Sequence, residues 1–200
     1  DALAQQWPQK PLKIIVSAAA GGPIDVFGRV VAERLGQLLG QQAIIENVAG
    51  AGGRIGGARV ARADPDGYTA LLGTSATHTF SQVLLKRPPY DAQKDFAPVA
   101  LIAEIPLVLI TRKDFPASDI KSFAAYAKAN PGKLNYASGG VGSSAHMSAE
   151  LLKSMAGIDM AHIPYKGAAP AVNAVMADES QVMVGNLPPW SALIKSGKVQ

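Results

Sequence analysis

Three times along this 200-residue chain, a short apolar stretch runs into a glycine-rich junction and then into a segment of helical periodicity. The junctions are Ala19-Ala20-Gly21-Gly22-Pro23-Ile24-Asp25, Gly50-Ala51-Gly52-Gly53-Arg54-Ile55-Gly56 and Ser138-Gly139-Gly140-Val141-Gly142-Ser143-Ser144. A strand that repeatedly turns into a helix through glycines constrains the fold to an α/β design with parallel pairing and right-handed crossovers. Glycine lets a backbone approach a ligand closely, and the helix that follows presents free N–H groups and a positive dipole end. Such a chain is built to hold a small anion, with few side chains suited to transforming one.

The order of elements supports this. Leu12–Ser17 reads as a buried strand, with Asp25 as cap of a helix whose apolar stripe is Phe27, Val30, Val31, Leu35, Leu38 and Leu39, ending at Gly40. Ala43–Glu46 is a second strand, a short helix follows to about Ala63, and Tyr68–Gly73 is a third strand after the turn Asp64-Pro65-Asp66-Gly67. Val99–Ala103 and Leu107–Thr111 read as longer strands near a domain crossing, which divides the chain into residues 1–103 and 104–200. Ser118 is expected to cap a helix that ends at Asn130-Pro131-Gly132, before strand Leu134–Ala137. Beyond the third junction come a helix to Gly157, strand Met160–Ile163, a helix around Ala171–Ala177, strand Gln181–Gly185 and a helix about Trp190–Ser196.

Hydrophobic residues make up 48% of the chain, enough for a real core, and the excess of 19 basic over 15 acidic residues is spread thinly. No basic stripe interleaved with aromatics is present, so no nucleic-acid partner is expected. Cysteine is absent, which removes disulfides, thiol catalysis and cysteine metal sites. Ala2-Leu3-Ala4 has the small-x-small pattern that precedes a signal-peptidase cut, with Gln5-Gln6-Trp7-Pro8 as the mature start, and an exported protein is expected.

Gly50, Gly52 and Gly56 give G-x-G-x-x-x-G after the second strand, and position 70 is Ala70, so the dinucleotide fingerprint is not met. Close helix–sheet packing explains these three glycines. Gly73-Thr74-Ser75-Ala76-Thr77 lacks the last glycine of a nucleophile elbow; Ser75 and Thr77 read as a capped helix start, or as hydroxyls facing a ligand at a strand's carboxyl end. A serine hydrolase using Ser75 or Ser143 with His146 is the enzymatic alternative. His146 and Glu150 are spaced i, i+4 on one helix without a set that completes a metal site. His146 either bonds locally or points toward an anion; Lys166 either is solvated or faces a carboxylate; Asn186 ends its strand as a polar lining residue.

Taken in order, Ala20–Asp25, Glu46-Asn47 with Gly50–Gly53, Pro65–Thr69, Asp95–Val99, Pro131–Ser138 and His162–Gly167 resemble the receptors of the tripartite tricarboxylate transporter system, the Bug family. The resemblance implies a periplasmic binding protein of type II, in which two lobes with mainly parallel sheets flanked by helices enclose a ligand cleft. It implies a monomer without cofactor or metal that captures a small carboxylate in the periplasm for a permease of one large and one small subunit. An orphan receptor serving a sensor kinase is the other binding role. By carry-over, ligand contacts would come from Ala20, Gly21, Gly22, Pro23, Asp25, Thr74, Ser75, Ala76 and Thr77 in the first lobe. The second lobe would add Ser138, Gly139, Gly142, Ser143, Ser144, His146, Tyr165, Lys166 and Gly167, with Asn186 proposed from its strand position. Gly185 stands where members often carry an acidic residue, so dicarboxylates or aromatic acids are expected over amino acids. Members also continue past Gln200 with a segment that completes the first lobe, without which its sheet edge is exposed.

Overall fold

In the first strand, β1 (Leu12–Val16), Ile15 and Val16 are fully buried and Leu12 and Ile14 nearly so, because apolar residues on both faces call for cover on both faces. The strand lies at the centre of a parallel three-stranded sheet, between β2 (Ala43–Asn47) and β3 (Thr69–Leu72). Helix α1 (Pro23–Leu39) returns over this sheet, setting Phe27, Ala32 and Leu35 against Ile14, Val16 and Leu72. A 3₁₀ turn (Ala51–Gly53) opens α2 (Arg54–Ala61), and a π-helical turn (Ala76–Phe80) opens the short α3 (Ser81–Leu84). The computed structural model describes residues 7–186 and 190–200 and divides at Phe96–Ala97 into two compact units.

The second unit begins with β4 (Leu107–Thr111) and α4 (Ile120–Ala129), then alternates β5 (Asn135–Ser138), α5 (Ser144–Ala156), β6 (Ala161–Pro164), α6 (Ala168–Met176), β7 (Val182–Asn186) and α7 (Ser191–Lys195). Its sheet order is β4-β7-β5-β6, parallel except for β4, which runs antiparallel to β7. Period-2 alternation builds two cores on its two faces. Tyr136, Val182 and Val184 join Phe123, Leu134 and Met160 on one side, while Ala137 and Met183 join Ile110, Val172, Val175 and Trp190 on the other.

Three local expectations are corrected. Asp25 does not cap α1: the cap is Gly22, Pro23 occupies the first turn, and the Asp25 carboxylate turns back into the preceding loop. Asp119, not Ser118, caps α4; its carboxylate accepts the Ser122 N–H at 2.8 Å, and the Ser122 hydroxyl accepts the Asp119 N–H. Ser122 completes that reciprocal box only from a cap three residues earlier. Val99–Ala103 is irregular, with Val99 93% and Leu101 83% exposed, because among the described residues no strand pairs with it. The Ala2–Ala4 run lies outside the described residues.

Candidate functional site

In the first unit, the loop after β1 is organised around Asp25, which is 2% exposed. Its carboxylate accepts from the Gly21 N–H (2.9 Å), Arg29 Nε (3.1 Å) and Asn47 Nδ2 (2.9 Å), and Asn47 also donates to the Ala18 carbonyl. Burial opposes the charge, but these donors outweigh it and hold the Asp25 carboxyl below the usual carboxylate range. Gly21, at φ +77°, carries the turn that delivers its amide to Asp25. Asp25 and Gly21 therefore satisfy one another, Gly22 and Pro23 are buried at the start of α1, and Ala20 is exposed at the tip.

The Thr74–Thr77 turn is likewise bonded within itself. Thr77 is fully buried; its hydroxyl oxygen accepts the Thr74 N–H at 2.9 Å, lies 3.0 Å from the Thr74 carbonyl and 2.8 Å from His78 Nδ1. Its own carbonyl accepts from Ser81 and Tyr90, both at 2.7 Å. Ala76 is buried, and Thr74 and Ser75 remain nearer the surface. The middle junction packs tightly: a side chain on Gly56 would meet Ser17 and the Val48 carbonyl at 3.0 Å, and one on Gly57 would meet the Tyr90 ring at 2.6–2.7 Å. An open depression of about 540 Å³ on α2, bordered by Arg54, Ile55, Arg59 and Arg62, shares no residue with the loops at Ala20–Asp25 and Thr74–Thr77. Arg59 there is paired with Glu46.

In the second unit two of the expected segments come together. The Tyr165 N–H donates to the Ser138 carbonyl at 2.9 Å, and a Gly139 Cβ would lie 3.4 Å from the Gly167 carbonyl carbon and 3.5 Å from the Ala168 nitrogen. The loops that open α5 and α6 thus stand side by side at the carboxyl ends of the parallel strands β5 and β6, where ligands of α/β sheets bind. Ser143 caps α5 by accepting the His146 N–H at 3.2 Å. Lys166 is exposed, the Tyr165 hydroxyl reaches Glu179 at 3.4 Å, and Asn186 ends β7 opposite Leu107.

Beneath this loop lies a stack of rings. His146 and His162 are 4.2 Å apart at 18°, and His162 and Tyr136 are 4.7 Å apart at 15°. The Gly142 N–H donates to His146 Nδ1 at 3.1 Å, so that ring is neutral with its proton on Nε2. His162 Nε2 lies 2.6 Å from the Ser138 hydroxyl oxygen, which also accepts the Gly140 N–H at 3.1 Å. Burial pushes both imidazoles below their ordinary value, His162 to about 4. The Tyr136 hydroxyl and Lys153 both donate to Glu150, and these bonds outweigh burial to keep the Glu150 carboxyl low.

His146 accepts the Gly142 N–H, and Glu150 is bonded to Tyr136 and Lys153. Ser143 meets the His146 backbone and not its ring, so the Ser143–His146 pairing of the hydrolase alternative is not formed. His162, Asn47 and Tyr136 were not among the expected site residues. A signal for His162 was present: Tyr136 and Ser138 share a face of β5, and the parallel register sets His162 beside Tyr136.

A family model described as the tripartite tricarboxylate transporter family receptor matches residues 27–200. A curated relative from Bordetella pertussis, a protein of the UPF0065 group, is 39% identical over 198 residues, which are 99% of this chain and 61% of the relative. The periplasmic binding protein BugD is similar in structure, with TM-score 0.92 and 38% identity over 97% of this chain and 64% of that one. So are Rhodopseudomonas palustris Rpa4515 with adipate (TM-score 0.93, 32% identity, 97% and 65% covered) and MatC from the same organism with malate (TM-score 0.91, 35% identity, 97% and 66% covered). The chain spans 61% of the length of the first of these relatives, and similar shares of the others.

Proposed function

The chain belongs to the tripartite tricarboxylate transporter family of receptors, and from that premise we propose that it captures a small carboxylate in the periplasm for a membrane permease. Its fold is that of the periplasmic binding proteins, and its family and fold are those of solute receptors, not of enzymes. The observation that carries the proposal is the pairing of the α5 and α6 openings at Ser138–Ser144 and Tyr165–Gly167. Two helix amino termini beside one another offer partial positive charge and N–H donors to one anion without an arginine. Within the first unit, Ala20, Gly21 and Ser75 are the exposed positions of the Ala20–Asp25 and Thr74–Thr77 loops and are its candidate ligand contacts. Asp25 and Thr77 would act indirectly, because their polar atoms are committed to their own loops.

A dicarboxylate is the class favoured. Malate and adipate are the ligands of two similar receptors. Gly185 adds no charge to β7: a Cβ there would already stand 3.2 Å from Met183 Cε and Trp190 Nε1, so the position carries no countercharge for a ligand amine. A thermal-shift panel of mono-, di- and tricarboxylates and amino acids tests this reading. A dicarboxylate at 100 times its dissociation constant should add about 2.7 kcal/mol. Stabilisation by glutamate or aspartate alone, or by no member of the panel, would contradict it.

A further inference from the structure

We propose that His162 is a positioning residue for the Ser138–Ser144 loop: bonded to Ser138 and stacked on His146, it helps anchor that loop through the Gly140 and Gly142 amides, so that the opening of α5 is set for an anion, and proton uptake by the histidine pair loosens the anchors. The proposal deepens the carboxylate reading above and rests on it for the identity of the ligand.

Two side-chain bonds supplement the backbone bond from Ser143 to Gly140. Gly140 is held by the Ser138 hydroxyl, which His162 Nε2 orients from 2.6 Å, and Gly142 is held directly by His146 Nδ1. Gly142 takes φ +81° next to a backbone turn closed by the Ser143 N–H on the Gly140 carbonyl at 3.1 Å, and the imidazole it donates to adds a second restraint on its amide. Only an unprotonated Nδ1 can accept that bond; a proton placed there sets one N–H against another. Protonating His162 removes its lone pair at Nε2 and obliges it to donate to Ser138, which redirects the hydroxyl proton.

The surroundings make the pair act together. With the rings 4.2 Å apart, a charge on one opposes a charge on the other. From β5 the pair faces Tyr136 and Ser138, and from α5 it faces Glu150 and Lys153. Glu150 favours a proton on the pair while Lys153 opposes it, and Glu150 is already bonded to Tyr136 and Lys153. Burial and the facing ring therefore prevail, and near neutral pH both rings are uncharged.

The test uses the isotopically labelled 200-residue chain, with imidazole and glycine amide resonances followed by NMR and binding of malate and adipate followed by calorimetry. In the unmodified chain the Gly142 amide should shift with the same midpoint as the His146 ring. His162→Phe keeps a stacked ring without the bond to Ser138. It should displace the Gly140 amide and weaken carboxylate binding about tenfold, the loss one hydrogen bond accounts for. His162→Gln, which can still bond Ser138 and takes no proton, should restore the Gly140 shift. It should also lose less affinity than the unmodified chain as the pH falls toward about 4, where His162 takes up its proton, the ionisation of the ligand being common to both. Unchanged Gly140 and Gly142 resonances in His162→Phe, or a Gly142 amide that does not follow His146, would overturn the proposal whether or not either carboxylate binds. Failure of both carboxylates to bind a chain whose amides do follow the histidines would remove the ligand reading and leave the positioning role standing.

Discussion

Asp25 shows how a residue can belong to a binding loop without touching what is bound. Its buried carboxylate collects the Gly21 amide, Arg29 and Asn47. Asp25→Ala strands those donors and should cost the first unit about 2 kcal/mol in a urea melt. Trp7, packed against Tyr68 in that unit, serves as the reporter with Trp190 replaced. A loss below about 0.5 kcal/mol would contradict the role given to Asp25. Gly57 makes a second case. An added methyl would stand 2.6 Å from the Tyr90 hydroxyl, which is buried and bonded to the Thr77 carbonyl, so it cannot swing away cheaply. Gly57→Ala should cost about 1–3 kcal/mol, and an unaltered melt would show that Tyr90 yields. The sequence made Asp25 visible as a residue near a helix start, but its inward turn depends on Asn47, which is distant in sequence and adjacent only once β1 and β2 pair.

At the scale of elements, periodicity and punctuation placed the helices well. The stripe ending at Gly40 and the one ending at Gly157 are α1 and α5, because a helix stopped by a left-handed residue carries its own local cause. What depended on partners was less legible. A continuous apolar run at Val99–Ala103 signals a strand but cannot supply its neighbour, and the antiparallel direction of β4 is set by the distant β7. Of the site, the glycine loops could be read directly. The ring stack beneath them could not, since it needs β5, β6 and α5 assembled. Capping is local, and its prediction is correspondingly simple: Asp119→Ala should destabilise the second unit by about 1 kcal/mol, with Trp190 fluorescence as the probe. Ser118→Ala should leave it unchanged; the reverse ranking would restore Ser118 as the cap.

For the whole molecule, the two units differ in what acid does to them. His162 and His146 are depressed by folding, so the stabilisation from keeping them neutral is complete above the ordinary histidine value of 6.5. It is lost as the pH falls toward about 4, the folded value of His162. Asp25 is also depressed, but from 3.8, so its contribution persists until the pH drops through that lower range. Acid titrations read separately at Trp190 and Trp7 should therefore show the second unit weakening first. Coincident loss confined to below about pH 4 would contradict the histidine assignment.

The central claim is that one carboxylate is received by paired helix openings and not by the arginines of α2. Amide shifts during titration with malate, adipate and a wider dicarboxylate set measure this most directly. The account predicts that a binding dicarboxylate perturbs Gly139, Ser143–Ser144 and Gly167–Ala168, while Gly52–Gly56 stay in place. Perturbation centred on Gly52–Arg54 and Arg62, with Ser138–Ser144 unmoved, would place the anion on the α2 depression and contradict it.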